Sequence, residues 1–162
     1  MSAVLHEDMA ALAGLRGPLM GLDLGTRTIG VAVSDGLRMS ATALETVRRT
    51  RFAADAERLR EIAAGRGIAA IVLGLPRNMD GSEGPRCQST RAFARNLASR
   101  LGLPVAFWDE RLSTVAAERT LLEADSSRKR RAQVIDKVAA AYILQGALDR
   151  LAAHARGNAN DR

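Results

Sequence analysis

The sequence predicts an α/β domain: three antiparallel strands, then helix-linked strands in the same mixed sheet, with helices flanking it. Three observations carry this. Closely spaced strand-like runs fill Leu19 to Val47, apolar stripes at helical spacing follow, and two compact apolar runs, Ala70 to Leu73 and Val105 to Trp108, each lie between helical stripes. The length of 162 residues suits one such domain and is short for two lobes that close on each other. Hydrophobic residues at 47% and charged residues at 26% provide for a packed core and exclude disorder over most of the chain.

Residues 1–18 read as a flexible N-terminal extension outside the core, with a helical turn around Met9 to Leu12, closed by Gly17 and Pro18. Residues 19–152 form the domain, and 153–162 a C-terminal tail. Met20, Leu22 and Leu24 alternate with Gly21 and Asp23, which gives a first strand; Ile29 to Val33 gives its hairpin partner, and Thr42 to Val47 a third antiparallel strand after the turn at Gly36. Phe52, Ala56, Leu59 and Ala63 mark a helix that stops at Gly65 and Gly67. The strand Ala70 to Leu73 leads into a loop from Gly74 to Gly84. Thr90, Phe93, Ala94, Leu97 and Leu101 then form a second helical stripe. Val105 to Trp108 is the next strand and ends on Asp109 and Glu110. Ser113 caps a helix through Leu122; a basic loop follows, and a last helix runs from Ala132 to Leu151. A mixed sheet in this order is that of ribonuclease H-like domains.

Lys and Arg number 24 against 18 Asp and Glu, a formal charge of +6, and all the basic residues except Lys129 and Lys137 are arginines. Arginine forks match phosphate oxygens, so the balance suits a nucleic-acid partner, although an arginine-rich genome explains the same composition. Aromatics at 3% leave little for base stacking. Cys87 is the single cysteine, which rules out an intrachain disulfide and a multi-cysteine zinc site and fits a reducing cytoplasm. Neither a signal-peptide pattern nor an apolar run of membrane-spanning length is present, so a membrane location is not expected.

Asp23 lies in a strand otherwise apolar or glycine, a costly place for a carboxylate unless it binds a cation or accepts hydrogen bonds, for which the amides of Gly25 to Thr28 are at hand. Asp109 and Glu110 end another strand. Adjacent strand residues face opposite ways, so only one of the two can point at Asp23; an ion pair with Arg111 is the plain structural reading of the same residues. Asp136 starts a helical face continued by Ala140, Ile143 and Ala147, where the helix N-terminus also favours an acidic residue. Three carboxylates from separate segments suit Mg2+ or Mn2+, hard cations that take oxygen ligands and keep open positions for water and phosphate. In a two-metal nuclease one ion activates the attacking water and the other stabilises the leaving oxygen. His6 and His154 lie near the chain ends, which gives histidine catalysis poor support. Arg77, Asn78 and Ser82 in the loop after Leu73, and the run Arg128, Lys129, Arg130 and Arg131, are the candidate phosphate contacts; a tight turn at Asp80 and Gly81 and a solvated loop are the plain structural readings of the same residues.

Gly21-Leu22-Asp23-Leu24-Gly25 with Ile29-Gly30-Val31-Ala32, Gly74-Leu75-Pro76 with Met79-Asp80-Gly81-Ser82, Asp109 to Thr114, and Asp136 with Ala139-Ala140 and Ile143-Leu144-Gln145 together resemble the YqgF family of ribonuclease H-like proteins, also called RuvX. The resemblance covers about residues 19–152. It implies a cytoplasmic bacterial nuclease that hydrolyses phosphodiester bonds to mature the 5′ end of pre-16S ribosomal RNA, with an older assignment as a Holliday junction resolvase. Carried over by motif, Asp23, Glu110 and Asp136 are the metal ligands, with Asp109 the alternative for the second. Expected partners are precursor ribosomal RNA or branched DNA, and the preribosome, met by a monomer or a homodimer. Cys87 stands where the family pattern has a small residue, which suggests packing.

Two readings of other classes compete. Asp23-Leu24-Gly25-Thr26 followed by Gly30 also resembles the first phosphate loop of actin-like ATPases, but a nucleotide-dependent regulator of that kind needs a second lobe for which the chain lacks length. A non-catalytic RNA-binding module would use the basic residues and leave the three carboxylates without a purpose.

Overall fold

The computed structural model describes residues 4–112 and 128–160. Six strands form one sheet: β1 (Leu5–His6), β2 (Leu19–Leu24), β3 (Thr28–Ser34), β4 (Ala41–Arg48), β5 (Ala70–Leu75) and β6 (Val105–Asp109), in the spatial order β1-β6-β5-β2-β3-β4. The pairs β2–β3 and β3–β4 are antiparallel, and β1–β6, β6–β5 and β5–β2 are parallel. The described helices are α1 (Phe52–Arg66), α2 (Pro85–Leu101) and α3 (Arg128–Asn160). The predicted mixed sheet is therefore present, with α1 and α2 as the crossovers that parallel pairing requires.

Strand alternation divides the core into two layers. Met20, Leu22, Ile29, Val31, Ile71, Leu73, Val105 and Phe107 face one way and pack with Ala56, Leu59, Phe93 and Leu97 of α1 and α2. The opposite face presents Leu19, Ala32, Ala70, Val72, Ala106 and Trp108 to the stripe Ala139, Ala140, Ile143, Leu144, Ala147, Leu148 and Leu151 of α3. Small residues on this second face let α3 approach the sheet backbone. A Cβ on Gly21 would lie 2.7 Å from Leu144 Cβ and 3.0 Å from the Ala140 carbonyl oxygen, while Gly146 of the helix gives the same clearance to the Trp108 ring. Both α1 and α2 end on left-handed glycines, Gly67 at φ 63° and Gly102 at φ 67°, a conformation that a Cβ would strain.

Two boundary expectations need correction. The N-terminal segment is part of the core: Leu5 and His6 pair with Val105 and Ala106, and Met9 and Leu12, in the expected helical turn, are buried against the α3 layer. A two-residue strand is too short to show alternation, and its partner lies about a hundred residues away, so no local pattern announces it. Arg38, from the β3–β4 hairpin, holds this segment by donating to the carbonyls of Gly17 at 2.8 Å and Leu12 at 2.9 Å. The second correction concerns the last helix. It extends past both expected ends, so the run Arg128 to Arg131 is helical rather than a loop, and the tail continues the helix to Asn160. Arginine, lysine and alanine sustain a helix without an apolar stripe to mark it. The expected helix from Ser113 to Leu122 lies outside the described residues.

Candidate active site

Asp23 is the acidic residue that the sheet itself places. Leu22 and Leu24 turn towards α1 and α2, so Asp23, like Gly21, turns towards α3; it is 3% exposed. Its partner across the antiparallel pair is Gly30, where a Cβ would collide with the carbonyl oxygen of Asp136. The first turns of α3 thus rest directly on the strand backbone beside Asp23. Thr28, two residues before Gly30 and on the same face, donates its hydroxyl proton to the Asp136 carboxylate.

Glu110 arrives from the other side. It follows the end of β6 in a short 3-10 turn and folds over β5 so that Oε1 lies 2.9 Å from the place a Gly74 Cβ would take. Gly74 is one residue beyond the Leu22–Leu73 pairing, which puts it level with Asp23 on the neighbouring strand. Asp109 belongs to the opposite face, paired with Leu75, and is engaged by Arg111: the Arg111 amide donates at 3.0 Å and its guanidinium at 2.7 Å. That guanidinium holds the Asp109 carboxyl below the usual carboxylate range. Asp109 is therefore the partner of Arg111, while Glu110 lies over Gly74 on the strand beside Asp23.

Two of the three elements reach this end of the sheet only because Gly30 and Gly74 leave cradles that a side chain would fill. Carboxylate oxygens are the donors that a hard divalent cation takes, so the residues fit such an ion chemically. As placed, no three of the described acidic, histidine or cysteine side chains close on one point as an ion site.

The loop 76–82 is closed by its own polar groups. The Asn78 side-chain amide donates to Ser82 Oγ at 3.0 Å, Ser82 Oγ donates to Asp80 at 2.5 Å, and the Asn78 amide meets the Ser82 carbonyl at 2.9 Å. The Ser82 hydroxyl in turn holds the Asp80 carboxyl below its ordinary range. Asn78 and Ser82 thus build the turn, although both stay exposed. Arg77 stands 3.5 Å from Glu83, and its Nε is buried without a hydrogen-bond partner. Arg77, Arg86, Arg111 and Glu110 share a shallow cleft of about 370 Å³. The backbone of Arg128 to Arg131 opens α3, the helix that carries Asp136; their side chains lie outside the described residues. Cys87 is fully buried, and burial pushes its thiol up, as suits a packing residue.

Thr28 and Arg111 belong to the site without standing out in the sequence. Thr28 carries the period-two signal of a residue facing the same way as Gly30, but nothing local identifies Asp136 as its partner. Arg111 ties the loop to β6 by donating to the Met79 carbonyl at 3.3 Å as well as to Asp109.

Residues 17–150 match the family model described as RuvX, Holliday junction resolvase. Proteins named "Putative pre-16S rRNA nuclease" from two strains of Cereibacter sphaeroides are 71% identical over 147 residues (ATCC 17025; 91% of each chain) and 73% identical over 145 residues (ATCC 17029; 90% of this chain and 91% of the relative). The Thermus thermophilus RuvC structure in complex with a Holliday junction substrate superposes with a TM-score of 0.52 at 16% identity, covering 84% of this chain and 96% of that one, a likeness of fold. With the family's span reaching from the start of β2 through the α3 stripe, so that Asp23, Glu110 and Asp136 all fall within it, the chain belongs to the RuvX family.

Proposed function

We propose that this chain is a divalent-metal-dependent nuclease that cleaves precursor 16S ribosomal RNA near the mature 5′ end, with Asp23, Glu110 and Asp136 holding Mg2+ or Mn2+. The observation that carries the reading is the convergence of β2, the β6 end and α3 on one end of the sheet over Gly30 and Gly74, each bringing one acidic residue. Hydrolysis of a phosphodiester is the family's activity, and the names of the relatives supply the RNA.

A bound divalent ion supplies an activated water and stabilises the leaving oxygen. The chain contributes the positioning. Asp23 is fixed by strand pairing, Glu110 by its seat over Gly74, and Asp136 by Thr28. Arg77, with the exposed Asn78 and Ser82 beside it, and Arg128, Lys129, Arg130 and Arg131 at the start of α3 hold the strand by its phosphates. None of the described helices is long and apolar enough to cross a membrane; a cytoplasmic enzyme acting on the preribosome fits that observation.

The family description and the RuvC likeness favour a second reading, cleavage of a four-way DNA junction, which calls for two sites presented by a homodimer. Labelled precursor RNA and a labelled junction, each incubated with the protein plus Mg2+ or Mn2+ and then with chelator, decide between them. Cleavage of the RNA near the mature end, lost with chelator, is expected. Paired symmetric nicks in the junction by a stable dimer that leaves the RNA intact would reverse the reading, and metal-independent binding without cleavage of either would reduce the chain to a binding module.

A further inference from the structure

On the side of the sheet opposite α3, a cleft of about 520 Å³ opens between the β2–β3 turn and the first turns of α1 and α2. Its cations are Arg49, Arg51 and Arg86, and its one acidic residue, Asp55, is buried and already accepts from the Thr50 amide at 3.1 Å and the Thr50 hydroxyl at 3.3 Å. Arg49 is held in place: it donates to the Gly25 carbonyl at 2.6 Å, and its guanidinium lies 5.8 Å from the centre of the Phe93 ring. Arg51 and Arg86 are exposed and make no ion pair among the described residues, whereas Arg58, Arg60, Arg91 and Arg111 are each paired with a carboxylate, so the guanidinium groups of the cleft stand open to a ligand. The cleft floor includes Gly25, two residues beyond Asp23 on the same chain segment. Arg86 and Pro85 line both this cleft and the smaller one that holds Glu110, so the two adjoin at these residues.

We propose that this cleft is a backbone-phosphate subsite for the strand cut at the carboxylates, with Arg51 and Arg86 as the contacting cations and Arg49 as their fixed neighbour. The assignment rests on the nuclease reading for its substrate, but its chemistry is that of phosphodiester binding alone. A polyanion lying in the cleft neutralises two otherwise unpaired guanidinium groups, and a strand that continues past Arg86 brings the adjoining nucleotides towards Glu110 and Asp23. The α2 N-terminus adds to the field: its cap residue, Gly84, supplies no side-chain hydrogen bond.

The test is binding of a fluorescent single-stranded RNA oligonucleotide in chelator over a range of KCl concentrations. Wild type is compared with the double variant Arg51→Ser/Arg86→Ser, its Arg51→Lys/Arg86→Lys counterpart and Asp23→Asn. Leaving two single-strand phosphates without their cations should lower the salt slope by about 1.4 and the affinity roughly tenfold at physiological salt. The lysine pair should keep the slope, and so should Asp23→Asn. Replacing single phosphates by neutral methylphosphonates should weaken wild type at one or two positions and leave the serine variant indifferent there. An unchanged slope in a folded serine variant, as judged by circular dichroism, would overturn the proposal. So would a wild type that binds no oligonucleotide, or a cleft occupied by inorganic phosphate but not competed by RNA. Arginine-dependent binding without cleavage in Mg2+ or Mn2+ would instead overturn the nuclease reading and leave the subsite standing.

Discussion

Substituting alanine for Gly30 and for Gly74 separates the packing of α3 from the placing of Glu110. At Gly30 the added Cβ meets the Asp136 carbonyl oxygen and carbon, and then the Lys137 nitrogen at 2.9 Å. These are helix backbone atoms, so α3 must lift or the strand must bend. Overpacking of this kind destabilises by about 1–3 kcal/mol. The rigid obstruction places Gly30→Ala at the upper end, a fall in Tm of roughly 5–10 °C for a chain of this size. Asp136 moves with its helix, and misplacing a catalytic group by about 1 Å can lower the rate about a hundredfold. At Gly74 the Cβ meets Ile143 Cδ1 at 2.6 Å and Glu110 Oε1 at 2.9 Å, both ends of side chains that can turn aside. Gly74→Ala should therefore lose about 1 kcal/mol or less of stability yet lose much of its activity, because the group that turns aside is Glu110. Urea melts with a cleavage assay on each folded variant measure the two quantities separately. A Gly30→Ala protein with wild-type midpoint and rate would refute the close seating of α3 and the role given to Asp136 together.

Asp23→Asn should abolish cleavage of the precursor RNA while leaving chelator-phase RNA binding intact; Glu110→Gln should follow it, and Asp109→Asn should cost less, an order read from single-turnover rates that would move the second ligand to Asp109 if reversed. Replacing Arg128, Lys129, Arg130 and Arg131 by Ser should weaken binding of all sequences and flatten the salt slope by about 0.7 for each single-strand phosphate no longer neutralised. Arg111→Ala should free the loop 76–82 from β6, seen as faster amide exchange there, with a global melt close to wild type. The Asp109–Arg111 pair also has a pH signature. The Asp109 carboxyl titrates below its ordinary 3.8, so its contribution to stability is complete above that pH and fades as the pH falls through the folded value. Acid unfolding of Asp109→Asn should lack that part of the transition.

The central strands and first two helices were legible because their signals are local. Met20, Leu22 and Leu24 alternate within one strand, and Phe93, Ala94 and Leu97 recur within one helix, so each pattern sits inside the element it marks. Asp23 was legible for a related reason: a carboxylate in a run that is otherwise apolar or glycine stands out wherever it folds. The pairing of β1 with β6 was not, since it joins segments about a hundred residues apart, and the seat of Asp136 on Gly30 is a contact of the same kind. Glu110 and Asp109 could be told apart only in space. Alternation says that they diverge, but which of them reaches β5 depends on the 3-10 turn that follows β6. The unpaired state of Arg51 and Arg86 is equally silent in a chain with arginines throughout.

The short N-terminal strand has a consequence for the strand beside it. Without Leu5 and His6, β6 would be the border of the sheet, its outer amides and carbonyls open to any other extended chain. With them, the first two residues of β6, Val105 and Ala106, are paired on both sides. The residue that leaves β6 is Glu110, so the piece of chain preceding the family's span acts as a selvedge for the strand that leads to a carboxylate proposed for catalysis. A protein made without its first dozen residues would keep every residue proposed for catalysis and binding, and would present them from a sheet whose border had opened at Val105 and Ala106, where the last strand begins.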